Sequence, residues 1–480
     1  MKKNFLVNIL FLLLINAIIK PLWVLGIDRG VQLWVGTGSY GSYFAILNLA
    51  IILNIFLDFG LTNYYHRKVA SDPGIFPQEF SSVVLIKLVF GLIYFISGLM
   101  IAYVSGFSQR LTLVMAVLLN QFLLSMLLFM RSNLSGLKHY FMDSIISVTD
   151  KLIMILWCGY LLLYPHYFPN FDILDFAWMQ NIAICIALLI SFGFLRKNHT
   201  FRMLMPGWKK IFSIIKETMP FSLLVITMAI YYRIDGVMLK WLLPEGEIYA
   251  GVYAQGFRLL DAGSMIGALF AGLLLPMFSY LLANKGNVKE LLKVSMDLMF
   301  FINLAVLAYF IFITDDISRW LYTHHLKETS LLLRWLIPCL FLVNITYILG
   351  TFLTSAGNLK QLNMISISGV VLNVILNLIL IPEYNVLGAA MASFATQLLV
   401  MIMHAIILNQ LHQGLTNWKQ WAYYGGLLLL SLWVVYVLKQ FSLEVKDFWI
   451  MTSIWILLTA LFMFRKEWKV IQKYLLQKFY

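Results

Sequence analysis

The stretch MPFSLLVITMAIYYRIDGVMLKWLL, residues 219–243, decides the fold. It is apolar for long enough to cross a bilayer, which takes about 20 residues of helix. Yet it carries Arg233, Asp235 and Lys240 near its end. An ionised group at the centre of a membrane helix costs roughly 2.5–3.5 kcal/mol on insertion scales, so each of the three calls for a partner or a function.

The rest of the chain has the same character. Of its 480 residues, 61% are hydrophobic and 12% charged, with a mean hydropathy of +0.84. Soluble domains carry about 25% charged residues. Fourteen apolar runs recur between 5–27 and 448–464, including 43–65, 211–243 and 252–283. A transmembrane barrel would show short alternating segments instead. The expected fold class is an all-α polytopic membrane protein of about 14 transmembrane helices. The N-terminal run has a basic start but no small-residue cleavage site, so it reads as an uncleaved first helix. Cys158, Cys185 and Cys339 lie inside apolar runs without metal or redox spacing, and neither a metal nor a cofactor is expected. The glycosylation-type tripeptides at 133–135 and 198–200 fall on the side expected to be cytoplasmic.

Lys and Arg collect in alternate loops, among them Arg67, Lys68, Arg131, Lys138, Arg196, Lys197, Lys285, Lys360 and Lys466. The positive-inside rule then puts both termini in the cytoplasm and makes the span count even. This bias accounts for most of the net charge of +13, so no nucleic-acid partner is implied. The basic, aromatic segments RKNHTFRMLMPGWKK (196–210) and RKEWKVIQKYLLQKFY (465–480) suit helices resting on an anionic leaflet.

Three matches in the same order suggest an internal repeat. IDRGVQLW (27–34) answers IDGVMLKW (234–241), GSYFA (41–45) answers GVYAQ (251–255), and GLKHYFMDSII (136–146) answers GNLKQLNMISI (357–367). The expected architecture is two pseudo-symmetric six-helix bundles plus a C-terminal helix pair. The N-terminal lobe spans 1–195, a cytoplasmic linker 196–218, the C-terminal lobe 219–411, and the last pair with its basic tail 412–480. Gly36, Gly38 and Gly41 form a literal G-x-G-x-x-G, but it joins two membrane helices and not a strand to a helix, so it reads as a turn.

Lys87, Lys293 and Arg334 lie near span ends and are expected to snorkel. Lys20, Asp150, Lys151, Arg233, Asp235, Arg258, Asp261 and Asp297 are deeper. Arg258 and Asp261, three apart, are expected to neutralise each other locally. Arg233 needs a partner from another helix, from water or from a ligand. Lys20 and Arg233 are expected to face one cavity between the lobes. An interhelical salt bridge is the alternative for any one of these residues. As a group, Lys20, Lys151, Arg233 and Arg258 suggest a basic surface for an anionic cargo, since a guanidinium fork suits phosphate oxygens. Asp58, Asp150, Asp235 and Asp297 are candidates for ion coupling, because a carboxylate in low dielectric holds a proton or a sodium ion. No catalytic residue is expected.

FLDFGLTNYYHRKVA (56–70), YYRIDGVMLKWLLPEGEIYAGVYAQGFRLLD (231–261) and GNLKQLNMISISGVVLNVILNLILIPEYNVLGAAMASFATQ (357–397) resemble motifs of the Wzx-like O-antigen flippases. These form the polysaccharide branch of the multidrug/oligosaccharidyl-lipid/polysaccharide (MOP) exporter superfamily. The resemblance implies a multi-pass protein of the bacterial inner membrane that is not an enzyme. Its implied cargo is an undecaprenyl-diphosphate-linked oligosaccharide, moved to the periplasmic leaflet by alternating access and coupled to H+ or Na+. The lipid bilayer is the implied surrounding, and a polysaccharide polymerase or glycosyltransferases are candidate protein partners. Asp58, Gly60, Arg67, Asp235, Gly251, Tyr253, Pro382 and Gly388 occupy matching motif positions. A drug/cation antiporter of the same fold would be expected to have an acidic or apolar cavity, which the basic excess disfavours. A murein-precursor lipid flippase is poorly separated by sequence. A membrane glycan polymerase or ligase would need acid/base groups in a sizeable outer loop, and the outer loops are short.

Overall fold

The computed structural model describes residues 15–16, 18–198, 208–412, 414–415, 418–441 and 445–464. The first part of the first expected span, residues 199–207 of the linker and the basic tail lie outside them. Among the described residues there are helices and no strands. A π-helical turn, Trp23–Asp28, leads into α1 (Arg29–Val35), followed by α2 (Thr37–Ile52), α3 (Ile55–Asp58) and α4 (Leu61–Ser71). Long helices come next: α5 (Phe76–Val104), α6 (Leu111–Gly136), α7 (Tyr140–Leu163), α8 (Ile173–Asn198), α9 (Trp208–Leu242) and α10 (Gly246–Ala283). The chain continues with α11 (Val288–Phe310), α12 (Thr314–Leu321), α13 (Leu326–Ser355), α14 (Leu359–Tyr384), α15 (Val386–Leu411), α16 (Trp418–Gln440) and α17 (Val445–Met463). Eleven of the described helices are long and apolar enough to cross a membrane, and a shorter apolar helix covers Asp447–Met463. The protein is all-α and multi-pass.

The second expected span, 43–65, is not one helix. Phe59 and Gly60 both take left-handed backbone, with φ of 43° and 77°, between α3 and α4. Two successive residues of that hand end any right-handed helix, and a phenylalanine there carries strain. Asp58 restarts the chain by accepting hydrogen bonds from the Thr62 backbone N–H at 3.2 and 3.3 Å. The chain therefore breaks at the Asp-Phe-Gly of its motif because α4 is capped by the carboxylate that ends α3.

Contacts divide the chain into two compact units. One comprises 1–262, 322–329 and 359–396; the other comprises 263–321, 330–358 and 397–480. Within the first, α4 to α8 close around an aromatic core of Tyr65, Phe76, Phe80 and Phe129, with Phe80 and Phe129 stacked 5.6 Å apart. In the same unit α9 packs along α14 and α2. In the second, α11, α16 and α17 pack together through Ala308, Val435 and Phe448. There the Asn344 amide bridges the Gly267 N–H (3.2 Å) and Asn303 (2.8 Å).

Gly41 and Gly251, matched in the sequence repeat, meet each other in the first unit. A Cβ on Gly41 would lie 1.8 Å from the Glu247 carbonyl oxygen, and one on Gly251 would lie 2.0 Å from that of Thr37. Each glycine faces the carbonyl four residues before the other, the reciprocity that a local twofold relation produces. The literal G-x-G-x-x-G thus ends in a helix-crossing residue, with no phosphate-binding strand-turn-helix around it. A methyl group at either position forces two backbones apart, so Gly41→Ala and Gly251→Ala should each lower unfolding stability by about 1–3 kcal/mol in mixed micelles. Gly193→Ala meets nothing within 4 Å and should be neutral or stabilising by about 0.5–1 kcal/mol. Equal effects at all three glycines would show that the crossing is not tight.

Candidate functional site

The charged residues of the first unit form separate groups, distinguished by how each charge is answered. On α9, Asp235 is 0% exposed. Its Oδ2 accepts from the Tyr253 hydroxyl of α10 at 2.9 Å and from Ser393 of α15. Its Oδ1 accepts from two amides of α14, Asn373 at 3.1 Å and Asn377 at 2.6 Å. Among the described residues no Lys or Arg pairs with it. Four neutral donors therefore satisfy a fully buried carboxylate, and the Asn377 Oδ1 beside it has no hydrogen-bond partner. Asn373 and Asn377 reach one carboxylate because residues four apart share a helix face.

Arg258 of α10 is answered differently. Its Nε lies 2.9 Å from the Tyr40 hydroxyl and 2.9 Å from Asp28 Oδ2, and the Tyr43 hydroxyl also hydrogen-bonds with the guanidinium. Tyr40 in turn donates to Asp28 Oδ2 at 2.7 Å, closing a triangle. The guanidinium lies over the rings of Tyr40 and Phe44, at 5.9 and 5.5 Å. Tyr43, bonded to Gln180, is the next hydroxyl along it.

Arg258 and Asp261 do not pair with each other as expected. Asp261 instead takes Arg233 in a two-pronged contact, Nη1 to Oδ2 at 2.9 Å and Nη2 to Oδ1 at 3.1 Å. The pair is 18% and 15% exposed and rests against Tyr232 and Phe257. The two-pronged geometry from a facing helix surpasses a local contact along α10. Arg233 thus finds its partner on another helix.

Lys20 and Lys151 form a third group. Lys151 pairs with the neighbouring Asp150 at 3.1 Å and stands 5.0 Å from the Trp23 ring. Lys20 is half-buried, within electrostatic reach of Lys151, Asp150 and Arg131, and no acid pairs with it among the described residues. The structure thus sets Lys20 beside Lys151, and Arg233 in its own pair with Asp261.

Like Asp150 and Asp235, the other two candidate carboxylates are held by other side chains. Asp58 pairs with Lys87, which also reaches Thr62 at 3.2 Å. Lys87 was expected to snorkel but is 1% exposed, because the helix break places Asp58 within its reach. In the second unit, Asp297 accepts from the Tyr424 hydroxyl at 2.5 Å. Sequence reasoning passed over Asp28, Tyr40, Asn373, Asn377 and Ser393 as site residues. The available signals were the Ile-Asp shared by both repeat copies and two asparagines four apart in an apolar helix.

Residues 5–282 match the model of the family described as polysaccharide biosynthesis protein. A membrane protein of Methanocaldococcus jannaschii is 23% identical, the match covering 77% of this chain and 89% of the relative. The fold is similar to that of the lipid II flippase MurJ in an inward closed conformation, with a TM-score of 0.71 and 14% identity over 94% of this chain and 99% of the other. It is also similar to an inward-facing multidrug resistance MATE family transporter of the MOP superfamily, with a TM-score of 0.62 and 13% identity over 82% and 95%.

The Asp58–Lys87 pair can be tested by a double-mutant cycle. Asp58→Asn strands a buried ammonium and should cost about 3–5 kcal/mol of unfolding stability. Adding Lys87→Met should recover most of that loss. Strictly additive losses would show that the two side chains do not act as a pair.

Proposed function

This chain belongs to the polysaccharide biosynthesis protein family, and from that premise we propose that it flips an undecaprenyl-diphosphate-linked oligosaccharide from the cytoplasmic to the periplasmic leaflet of a bacterial inner membrane. It is a multi-pass membrane transporter of the MOP superfamily and not an enzyme. In the full reading, fourteen helices form two six-helix lobes and a final pair, with both termini cytoplasmic, and the lobes expose the site to each leaflet in turn.

The observation that carries the cargo assignment is the Arg258 triangle. A membrane helix does not keep a guanidinium among aromatic rings without use, and here Asp28 and Tyr40 approach it from the Nε side. The outer nitrogens suit the oxygens of a diphosphate, the one strongly anionic part of such a cargo. Lys20, with which no acid pairs among the described residues, adds a second cation for that group, whereas Arg233 is closed by Asp261 and Lys151 is paired with Asp150. A carrier of cationic drugs would gain nothing from this arrangement.

Ion coupling falls to Asp235. A buried carboxylate bonded only by neutral groups holds a proton or a small cation more readily than one paired with Lys. The oxygens of Asp235, Asn373, Asn377, Ser393 and Tyr253 form a donor set of the hard type that sodium takes. The unsatisfied Asn377 Oδ1 fits a ligand role once the amides turn. Asp58, Asp150 and Asp297 are weaker candidates, because Lys87, Lys151 and Tyr424 already engage them.

In a bacterium lacking its own flippase, Arg258→Gln should insert at normal levels and restore less than about a tenth of the surface polysaccharide, the loss of a charge-assisted contact of roughly 1.5–3 kcal/mol. Full restoration would remove the anionic-cargo reading. In proteoliposomes, uptake by the wild-type protein should rise with an imposed sodium or proton gradient, and Asp235→Asn should abolish that response. A gradient response that survives Asp235→Asn would place coupling elsewhere.

A further inference from the structure

Two arginines of the first unit, Arg233 and Arg258, meet their carboxylates in opposite ways. Asp261 takes both terminal nitrogens of Arg233, at 2.9 and 3.1 Å, so the whole fork is spent on the pair. This is the strongest geometry open to an arginine and a carboxylate, although Arg131 meets Asp143 through Nε at 2.8 Å. Asp28 stands equally close to Arg258, at 2.9 Å, and approaches it from the Nε side. The difference between the two pairs is Tyr40. Its ring is completely buried, its hydroxyl donates to Asp28 Oδ2 at 2.7 Å, and the same oxygen accepts from Arg258 Nε at 2.9 Å.

We propose that Tyr40 is a positioning residue: it holds Asp28 at the side of Arg258 and so keeps the two terminal nitrogens for a phosphate-bearing ligand. The inference rests on the anionic-cargo reading of Arg258 and adds a residue that reading does not need. Three features give Tyr40 this capacity. A phenol both donates and accepts, so it bridges a carboxylate and a guanidinium with no charge of its own. Its burial fixes the hydroxyl in place. The Tyr40 and Phe44 rings under the guanidinium, at 5.9 and 5.5 Å, hold the plane against rotation. Without the hydroxyl, Asp28 is free to swing onto the fork and make the two-pronged pair that Asp261 makes with Arg233. The competitor for the ligand would then be the protein's own carboxylate.

This predicts a reversal that simple damage to the fold would not give. Binding of undecaprenyl diphosphate is measured on full-length protein in nanodiscs, with the thermal unfolding temperature of each variant as a check of folding. Tyr40→Phe should bind about tenfold more weakly than wild type. Adding Asp28→Asn to Tyr40→Phe removes the competitor and should bring affinity back to within about threefold of wild type. Asp28→Asn alone should bind at least as tightly as wild type, and this single variant keeps the inference testable if Tyr40→Phe does not fold. Arg258→Gln separates the two levels of the argument. If wild type does not bind, or Arg258→Gln binds as well as wild type, the anionic-cargo reading fails and the Tyr40 inference with it. If Arg258→Gln loses binding while Tyr40→Phe keeps it, the site stands and the role of Tyr40 is overturned. Weak binding by Tyr40→Phe that Asp28→Asn does not restore, or weaker binding by Asp28→Asn alone, also overturns it.

Discussion

A charge inside an apolar helix bundle must be answered by something other than bulk water, and the answer decides what the charge can do. In this protein the answers take three forms. Arg233 with Asp261, and Lys87 with Asp58, are closed ion pairs whose partners consume each other. Asp235 is answered by hydroxyls and amides alone, which satisfy its hydrogen-bonding capacity and leave its charge uncompensated among the described residues. Arg258 lies between these cases: its charge is compensated by Asp28, which approaches it from the Nε side. The closed pairs fix packing. The other two arrangements are the ones we propose for ion binding, a cation at Asp235 and an anion at Arg258.

The backbone makes these arrangements possible. Gly41 and Gly251 let two helices cross at backbone contact, which brings α2, bearing Tyr40 and Phe44, against α10, bearing Tyr253 and Arg258. The same crossing lets the Gln32 amide reach the Gly251 carbonyl at 3.0 Å. Side chains from both ends of the first unit's sequence can then share one buried network, as Asp28, Tyr40 and Arg258 do. Asp235 and Tyr253 lie on neighbouring helices and bond directly, and Tyr253 shares α10 with Arg258, so the two proposed ion sites are linked through one helix. In the proposed function, that linkage is the route by which an ion gradient acts on the cargo site.

The sequence made the helical, multi-pass character plain, because apolar length and charge placement depend on composition alone. It also drew attention to the charged residues that matter, since each stands out against an apolar background. What it could not show is pairing. Arg258 and Asp261 sit at helix-neighbour spacing, and only the facing helix reveals that Asp261 belongs to Arg233. Lys87 looks like a snorkelling residue until the break at Phe59–Gly60 brings Asp58 to it. The neutral residues were the hardest to find. Tyr40, Asn373, Asn377 and Ser393 carry no charge, and their importance comes wholly from the carboxylates they face.

The most direct test of the account is a structure of the protein bound to an undecaprenyl-diphosphate-linked oligosaccharide. The account predicts diphosphate oxygens at hydrogen-bond distance from the terminal nitrogens of Arg258, with Tyr40 still bridging Arg258 Nε and Asp28. A diphosphate bound away from Arg258, with Asp28 closed onto the guanidinium fork, would contradict it.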